Sequence, residues 1–160
     1  MGLELIPAYG RQEEIVTLFT EYTNMLMEAD PTVRQYLILQ HYEKELERPE
    51  SKYGMPEGRL YLAYWDGQLA GCIGLRKLDE KRGELKRLYV RPDFRGHRIG
   101  EQMIRRILAD ARKIGYRQVL LDTLPFLRSA IYLYRKIGFC ETGYYNDSPV
   151  EATIFLQYDL

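Results

Sequence analysis

The residues best suited to chemistry in this 160-residue sequence lie in one stretch, YVRPDFRGHRIGEQMI, at positions 89–104. In it, an apolar strand end is followed by a proline, a cationic loop and an amphipathic helix pattern. The first backbone N–H groups of a helix have no intrahelical partner, and the helix dipole adds about half a positive charge there. The amides of residues 95–101 are therefore predicted to hold a phosphate or pyrophosphate.

The composition of this loop supports two interpretations. Gly96 and Gly100 let the backbone approach an anion closely, while Arg95, His97 and Arg98 add positive charge. The same residues fit an ordinary strand-to-helix turn with solvated arginines and a solvent-facing histidine. A glycine pair decides little by itself, so the loop alone leaves both interpretations open.

The charge balance restricts the partners that such a site could serve. Lys plus Arg and Asp plus Glu each number 23, which gives a formal net charge of zero. Broad binding to nucleic acid or to anionic membranes requires an excess of positive charge, so neither partner is expected. The sequence also shows no basic leader and no run close to the roughly 20 apolar residues of a membrane span, and we expect a cytoplasmic protein.

Length and cysteine content predict one domain without a metal site. A chain of 160 residues fits a single domain that buries about 70% of its unfolded surface, so residues 1–160 are predicted to form one unit. Cys72 and Cys140 lie in apolar, strand-like segments and lack the spacing of metal ligands. Both are predicted to be buried free thiols.

Hydrophobic periodicity predicts the elements that precede the loop. A short strand is expected over residues 3–6, and two helices follow, over residues 11–28 and from 31 to about 48. Residues 49–58 are expected to form a surface loop or a lid. Asp66 and Gly67 then join two strands in a tight hairpin turn. In the next strand, residues 83–90, the apolar positions change parity, which implies a β-bulge near Lys86 and Arg87.

The remaining elements alternate between helices and strands. A helix over residues 98–114, a strand over 118–123, a helix over 127–137 and two last strands are predicted. The strand, helix, strand order requires a right-handed crossover between two parallel strands. The predicted fold is therefore α/β or α+β, with helices on both faces of a mixed sheet.

Two motifs in this order resemble those of the GNAT superfamily of N-acetyltransferases, which transfer an acetyl group from acetyl-CoA to an amine. LYVRPDFRGHRIGEQMI is similar to motif A, in which Arg95, Gly96 and Gly100 fall on the pattern, and AIYLYRKIGF resembles motif B. Arg98 stands where motif A usually has glycine, and Leu127 stands where many members have a cofactor-binding asparagine. The resemblance implies a mostly antiparallel sheet of six to seven strands, with a splayed central parallel pair and about four flanking helices.

The resemblance also implies how acetyl-CoA is bound, without a metal. The backbone of residues 88–90 pairs with the pantetheine arm as an added strand, and an N–H near Leu88 stabilises the oxyanion. The amides of residues 95–101 hold the pyrophosphate. The implied binding residues are Leu88, Tyr89, Val90, Arg95, Gly96, His97, Arg98, Ile99, Gly100 and Glu101.

Two residues are implied to move protons. An alkylamine with a pKa near 10.4 is almost fully protonated at pH 7, and freeing its lone pair costs about 4.6 kcal/mol. Glu84 matches the strand glutamate that acts as the base in several members, and a solvated carboxylate paired with Arg82 or Lys86 is its alternative. Tyr134 matches the residue that protonates the departing thiolate, and a core tyrosine is its alternative.

The acceptor is expected to be an amine of a small molecule or peptide. Tyr36, Tyr144 and Tyr145 could form the wall of its pocket or simply pack in the core. Lys86 and Arg87 could attract an acidic acceptor or form a solvated charge pair.

The sequence leaves open two other functions and one assembly. A non-catalytic acyl-CoA-binding or sensing domain is the alternative to an enzyme, and the presence of Glu84 and Tyr134 argues against it. An RNA-acetylating toxin would need a basic surface, which the zero net charge disfavours. A homodimer is compatible with the resemblance.

Overall fold

Seven strands form one mixed sheet over residues 2–160, the part of the chain that the computed structural model describes. The strands are β1 (Leu3–Pro7), β2 (Arg59–Trp65), β3 (Gln68–Lys77), β4 (Arg82–Val90), β5 (Gln118–Thr123), β6 (Cys140–Glu141) and β7 (Ile154–Asp159). The α-helices are α1 (Gln12–Ala29), α2 (Val33–Leu39), α3 (Tyr42–Glu47), α4 (Glu50–Tyr53), α5 (Ile99–Ile114) and α6 (Arg128–Ile137). No helix within these residues is both long enough and apolar enough to cross a membrane.

The sheet has one parallel pair, at its centre. The strand order is β1-β2-β3-β4-β5-β7-β6, and every neighbouring pair except β4 and β5 is antiparallel. The parallel pairing runs only from Arg82 opposite Gln118 to Glu84 opposite Leu120, although both strands continue. Beyond Glu84 the two strands separate. The predicted splayed pair in a mostly antiparallel sheet is confirmed.

A β-bulge in β4 lies beside this separation. Gly74 is opposite Lys86 and Cys72 is opposite Tyr89, so β4 has one more residue than β3 between these two pairs. Arg87 lies within the bulge and has a left-handed φ of 61°. The bulge predicted near Lys86 and Arg87 is confirmed, and it bends β4 where β5 leaves it.

Helices pack on both faces of the sheet, and their apolar stripes explain why. On one face, α5 packs the fully buried Met103 and Ile107 against Ile73. On the other face, α1 packs the fully buried Phe19 against Leu62. Burying a side chain of this size contributes roughly 1.5–3 kcal/mol, so both helices are held firmly against the sheet.

The region before β2 differs from the sequence-based prediction. The single helix expected from residue 31 to 48 is divided into α2 and α3, because His41 between them has a left-handed φ of 56°. A further short helix, α4, lies in the segment 49–58, so residues 2–160 contain six α-helices rather than about four. Hydrophobic periodicity continues across the break and therefore could not reveal it.

The expectation for the cysteines is half right. Cys72 is fully buried in β3, whereas Cys140 is exposed on β6, a two-residue strand at the edge of the sheet. The apolar residues around Cys140 predicted that it is buried. Its exposure follows from the place of β6 at the edge of the sheet, and the local sequence does not reveal the order of the strands.

Candidate active site

A cleft of about 680 Å³ opens where β4 and β5 separate. Its walls come from residues 85–90 of β4, the loop and first turn of α5, the end of β5, α6 with the segment before it, and Tyr22 and Met25 of α1. A volume of this size suits a small-molecule ligand. The cleft is lined by ten of the residues predicted from sequence: Leu88, Tyr89, Val90, Arg95, Gly96, Arg98, Ile99, Gly100, Glu101 and Tyr134.

The β4 side of the cleft offers an open strand edge. Pairing with β5 ends at Glu84, so the β5-facing backbone groups of residues 85–90 have no strand partner. An unpaired strand edge can form hydrogen bonds with an extended ligand that carries amides of its own.

The α5 side of the cleft offers the start of a 16-residue helix. Arg98 is the N-cap residue, with a left-handed φ of 59° and no side-chain hydrogen bond to the first turn. The left-handed backbone explains why the motif usually has glycine at this position. Because no side chain caps the helix, its first amides are available to an anion.

Gly100 keeps the neighbouring wall of the cleft close to α5. A Cβ atom added at Gly100 would lie 3.2 Å from Cδ1 of Leu133 on α6 and 3.9 Å from Cγ2 of Val90 on β4. Glu101 also joins the two helices, since its carboxylate binds Lys136 at 3.0 Å and Arg105 at 3.2 Å. These two cations offset the negative charge of Glu101 beside the loop.

His97 is the one predicted binding residue that does not line the cleft. Its ring stacks on Trp65 at the end of β2, with ring centroids 4.2 Å apart and planes 16° apart. The structure therefore places the His97 side chain against the β2–β3 hairpin.

Tyr134 combines a buried ring with a hydroxyl at the cleft. The ring packs edge-on against Phe139, and the residue is 5% exposed. Tyr134 lines the cleft, and its hydroxyl has no hydrogen-bond partner among residues 2–160. Burial raises the pKa of this phenol well above its ordinary value, so the group keeps its proton at neutral pH.

Glu84 is buried behind the cleft and already engaged. Nε of Arg76 donates to its Oε1 at 2.6 Å, and the Tyr145 hydroxyl donates to its Oε2 at 2.6 Å. Burial raises the pKa of Glu84, but the cations of Lys86 and Arg76 and the two hydrogen bonds outweigh burial and lower it overall. Glu84 is therefore an ionised carboxylate, and it does not line the cleft.

Asp122 is a second carboxylate, which sequence reasoning did not single out. It lies on β5 two residues past Leu120, the last residue of that strand that pairs with β4, and it lines the cleft. Nδ2 of Asn146 donates to its Oδ2 at 2.7 Å, and the Tyr36 hydroxyl donates to the same atom. Its place at the carboxyl end of a parallel strand was the available signal, because ligands bind there in α/β sheets.

The aromatic and basic residues considered for the acceptor take different places. Tyr36 and Tyr145 each donate a hydrogen bond to a site carboxylate, whereas Tyr144 is 84% exposed. The expectation of a solvated Lys86 and Arg87 pair is wrong, since both residues are buried. The β-bulge turns these consecutive side chains into the interior.

Comparisons with known proteins identify the class that this fold and cleft define. The profile described as the Acetyltransferase (GNAT) family matches residues 15–139. The chain belongs to the GNAT family and is an N-acetyltransferase, an enzyme of the acyltransferase class.

Individual proteins agree with this assignment. An uncharacterized N-acetyltransferase of Schizosaccharomyces pombe is 33% identical over 126 residues, which cover 78% of this chain and 77% of that protein. An acetyltransferase structure from Streptococcus agalactiae shares the fold, with a TM-score of 0.80, 20% identity and coverage of 100% of this chain and 99% of that chain. The PaiA N-acetyltransferase from Thermoplasma acidophilum, solved in complex with coenzyme A, has a TM-score of 0.75 at 17% identity, with 100% of both chains covered.

Proposed function

We propose that this enzyme transfers the acetyl group of acetyl-CoA to a primary amine of a small molecule or peptide, by direct attack within a ternary complex. The observation that carries the proposal is the cleft in which the open edge of β4 meets the uncapped first turn of α5. Acetyl-CoA, when bound, supplies the activated acyl group.

The residues of the cleft fit this cosubstrate. The backbone of Leu88 and Val90 would pair with the amides of the pantetheine arm, because that edge of β4 lacks a strand partner. The amides of residues 95–101 would bind the pyrophosphate, with Arg95 and Arg98 adding charge at the cleft. Leu127 lines the cleft with an apolar side chain, so cosubstrate affinity depends mainly on backbone groups.

Tyr134 is the proposed general acid. Its buried phenol keeps its proton at neutral pH, and its hydroxyl has no partner within residues 2–160 that would compete for that proton. The hydroxyl would donate the proton to the departing thiolate, since a protonated thiol is a poor nucleophile for the reverse reaction.

Glu84 is the proposed base, acting through water because its carboxylate lies behind the cleft. The pKa of Glu84 is lowered from its ordinary value and lies far below that of an alkylammonium near 10.4, so full proton transfer to this carboxylate is less favourable than release of the proton to solvent at pH 7, which costs about 4.6 kcal/mol. Glu84 would therefore pass the proton on to solvent rather than keep it. Asp122, in the cleft wall, would orient the ammonium before the proton leaves.

Calorimetry and a thiol-release assay test the proposal together. We expect CoA to bind the wild type and to bind Gly100→Val more weakly, since the larger side chain must enter a space where a Cβ alone lies 3.2 Å from Leu133. Gly100→Ala should have an intermediate affinity. Thiol release from acetyl-CoA should require an amine.

Calorimetry tests the CoA-binding site, and the thiol-release assay tests acetyl transfer. Unchanged CoA affinity in Gly100→Val would contradict the binding site. Tight CoA binding with no acetylation across a broad amine panel would favour a non-catalytic acyl-CoA-binding or sensing domain.

A further inference from the structure

We propose that the acceptor carries a carboxylate in addition to its amine, and that Lys86 binds this carboxylate. The inference rests on the proposed function and names an acceptor class for the same cleft. Amino acids and other amines with a free carboxylate belong to this class.

Lys86 is a buried cation without a hydrogen bond. The residue is 8% exposed and lines the cleft, and its ammonium has no hydrogen-bond partner among residues 2–160. The nearest carboxylate oxygen, Oε1 of Glu84, lies 4.0 Å from Nζ, which is too far for a hydrogen bond. No fully buried side-chain nitrogen or oxygen among the described residues lacks a hydrogen-bond partner, so Nζ of Lys86 keeps access to solvent at the cleft. A ligand carboxylate in the cleft would supply acceptor oxygens to this ammonium, and a hydrogen bond between two charged groups is favourable.

The neighbouring acids are engaged by other cations. Glu84 accepts a 2.6 Å hydrogen bond from Arg76, and its second oxygen accepts one from Tyr145. Glu45 is bound by Arg87 at 2.7 Å and by Lys52 at 2.7 Å. Counting Lys86 itself, four cations (Lys86, Arg76, Arg87 and Lys52) surround three carboxylates (Glu84, Glu45 and Asp122), which leaves one positive charge in excess.

Arg87, the adjacent cation, is already paired with a carboxylate. Its Nε and Nη2 donate to the two oxygens of Glu45 at 2.7 and 3.0 Å, and Nη2 also donates to Gln40 at 2.6 Å. Both of these consecutive basic residues line the cleft, and Lys86 is the one whose side chain forms no hydrogen bond within residues 2–160.

Asp122 supplies the opposite charge in the same cleft. Its hydrogen bonds come from the neutral groups of Tyr36 and Asn146, and no cation pairs with it among residues 2–160. An ammonium and a carboxylate on one acceptor would complement Asp122 and Lys86 respectively. Burial lowers the pKa of Lys86 against the opposing effect of Glu84, and a bound carboxylate would favour the charged form.

Paired acceptors provide the test. Each pair consists of an amino acid and the amine formed by removing its carboxylate, both measured with acetyl-CoA by thiol release and product mass. The wild type should favour the amino acid in kcat/KM. Lys86→Met, of similar shape, should reduce this preference about 10- to 100-fold, the range for a hydrogen bond to a charged group. Lys113→Met, which changes an exposed lysine outside the cleft, should keep the wild-type preference.

The outcomes distinguish this inference from the function on which it rests. Equal kcat/KM values for both members of each pair in the wild type would overturn the inference while leaving acetyl transfer intact. Equal losses for both members in Lys86→Met, with CoA affinity and melting temperature retained, would assign Lys86 to the acetyl-transfer step and also overturn it. CoA binding with no acetylation of any amine would instead contradict the proposed function.

Discussion

The Tyr145 hydroxyl lies 2.6 Å from Oε2 of Glu84 and donates a hydrogen bond to it. The contact joins the segment before β7 to the strand where the parallel pair ends. Burial, the charge of Glu84 and this hydrogen bond raise the pKa of Tyr145, so the phenol keeps its proton. The hydrogen bond also adds to the effect of Lys86 and Arg76 in lowering the pKa of Glu84, so the carboxylate stays ionised. Any role of Glu84 in proton transfer thus involves a carboxylate that is already hydrogen-bonded.

Glu84→Gln should reduce kcat/KM by about 100-fold near neutral pH, because the amide keeps the shape but cannot accept a proton. As the pH approaches the pKa of the acceptor, a larger share of the amine binds in its neutral form. The kcat/KM of Glu84→Gln should therefore approach that of the wild type. The measurement is kcat/KM from about pH 6 to 10, a span that ends near the amine pKa.

Tyr145→Phe is the matched control, because it removes the hydrogen bond but keeps the Glu84 carboxylate. The kcat/KM of Tyr145→Phe should fall less than that of Glu84→Gln, and its ratio to the wild-type value should not change as the pH rises. A constant ratio between Glu84→Gln and the wild type at every pH would remove Glu84 from the proton path.

Tyr134→Phe should lower turnover by about 100-fold while acetyl-CoA affinity holds, since only the proposed proton donor is lost. The melting temperature should change little, because the hydroxyl has no hydrogen-bond partner among residues 2–160 and the ring keeps its contact with Phe139. Turnover equal to that of the wild type would leave Tyr134 as a core residue.

Arg98 allows charge and backbone conformation to be tested separately. Arg98→Ala removes the charge and keeps a side chain at a left-handed φ, whereas Arg98→Gly also relieves about 1 kcal/mol of backbone strain. We expect both variants to lose CoA affinity to the same extent at low salt, and only Arg98→Gly to gain stability in chemical denaturation. Unchanged affinity in both would leave Arg98 without a cosubstrate contact.

The buried Glu45 gives a prediction about stability and pH. Burial raises the pKa of Glu45, but Arg87 and Lys52 outweigh burial and lower it to about 2. The ionised carboxylate therefore contributes stability above pH 4.5, on the order of 3 kcal/mol, which is lost as the pH falls toward 2.

Glu45→Gln should consequently unfold at lower denaturant concentration at pH 7 and approach the wild type in acid. Denaturation curves between about pH 7 and 2 provide the check. A stability difference that does not narrow in acid would contradict the assigned pKa.

The sequence predicted best the features that depend on neighbouring residues. The hairpin turn at Asp66 and Gly67 has both residues at positive φ, as the pair indicated, and α5 ends at Ile114, as predicted. The break at His41 and the position of Asp122 were missed. Hydrophobic periodicity does not report the backbone conformation of a single residue such as His41, and it does not report where β4 and β5 cease to pair, which places Asp122 in the cleft.

The candidate active site also contains a contact that the sequence did not predict. His97 lies in the predicted loop, yet its ring faces Trp65, a residue of another strand. The loop sequence contains no signal for that stack. The assignment of residues 1–160 to a single domain, the cytoplasmic location and the homodimer stay predictions.

Initial-rate kinetics over a matrix of acetyl-CoA and amine concentrations tests the central claim most directly. Direct attack in a ternary complex predicts intersecting double-reciprocal lines, thiol release only when the amine is present, and no acetyl group on the protein. Parallel lines, together with an acetylated enzyme trapped in the absence of amine, would show a covalent intermediate and contradict the account.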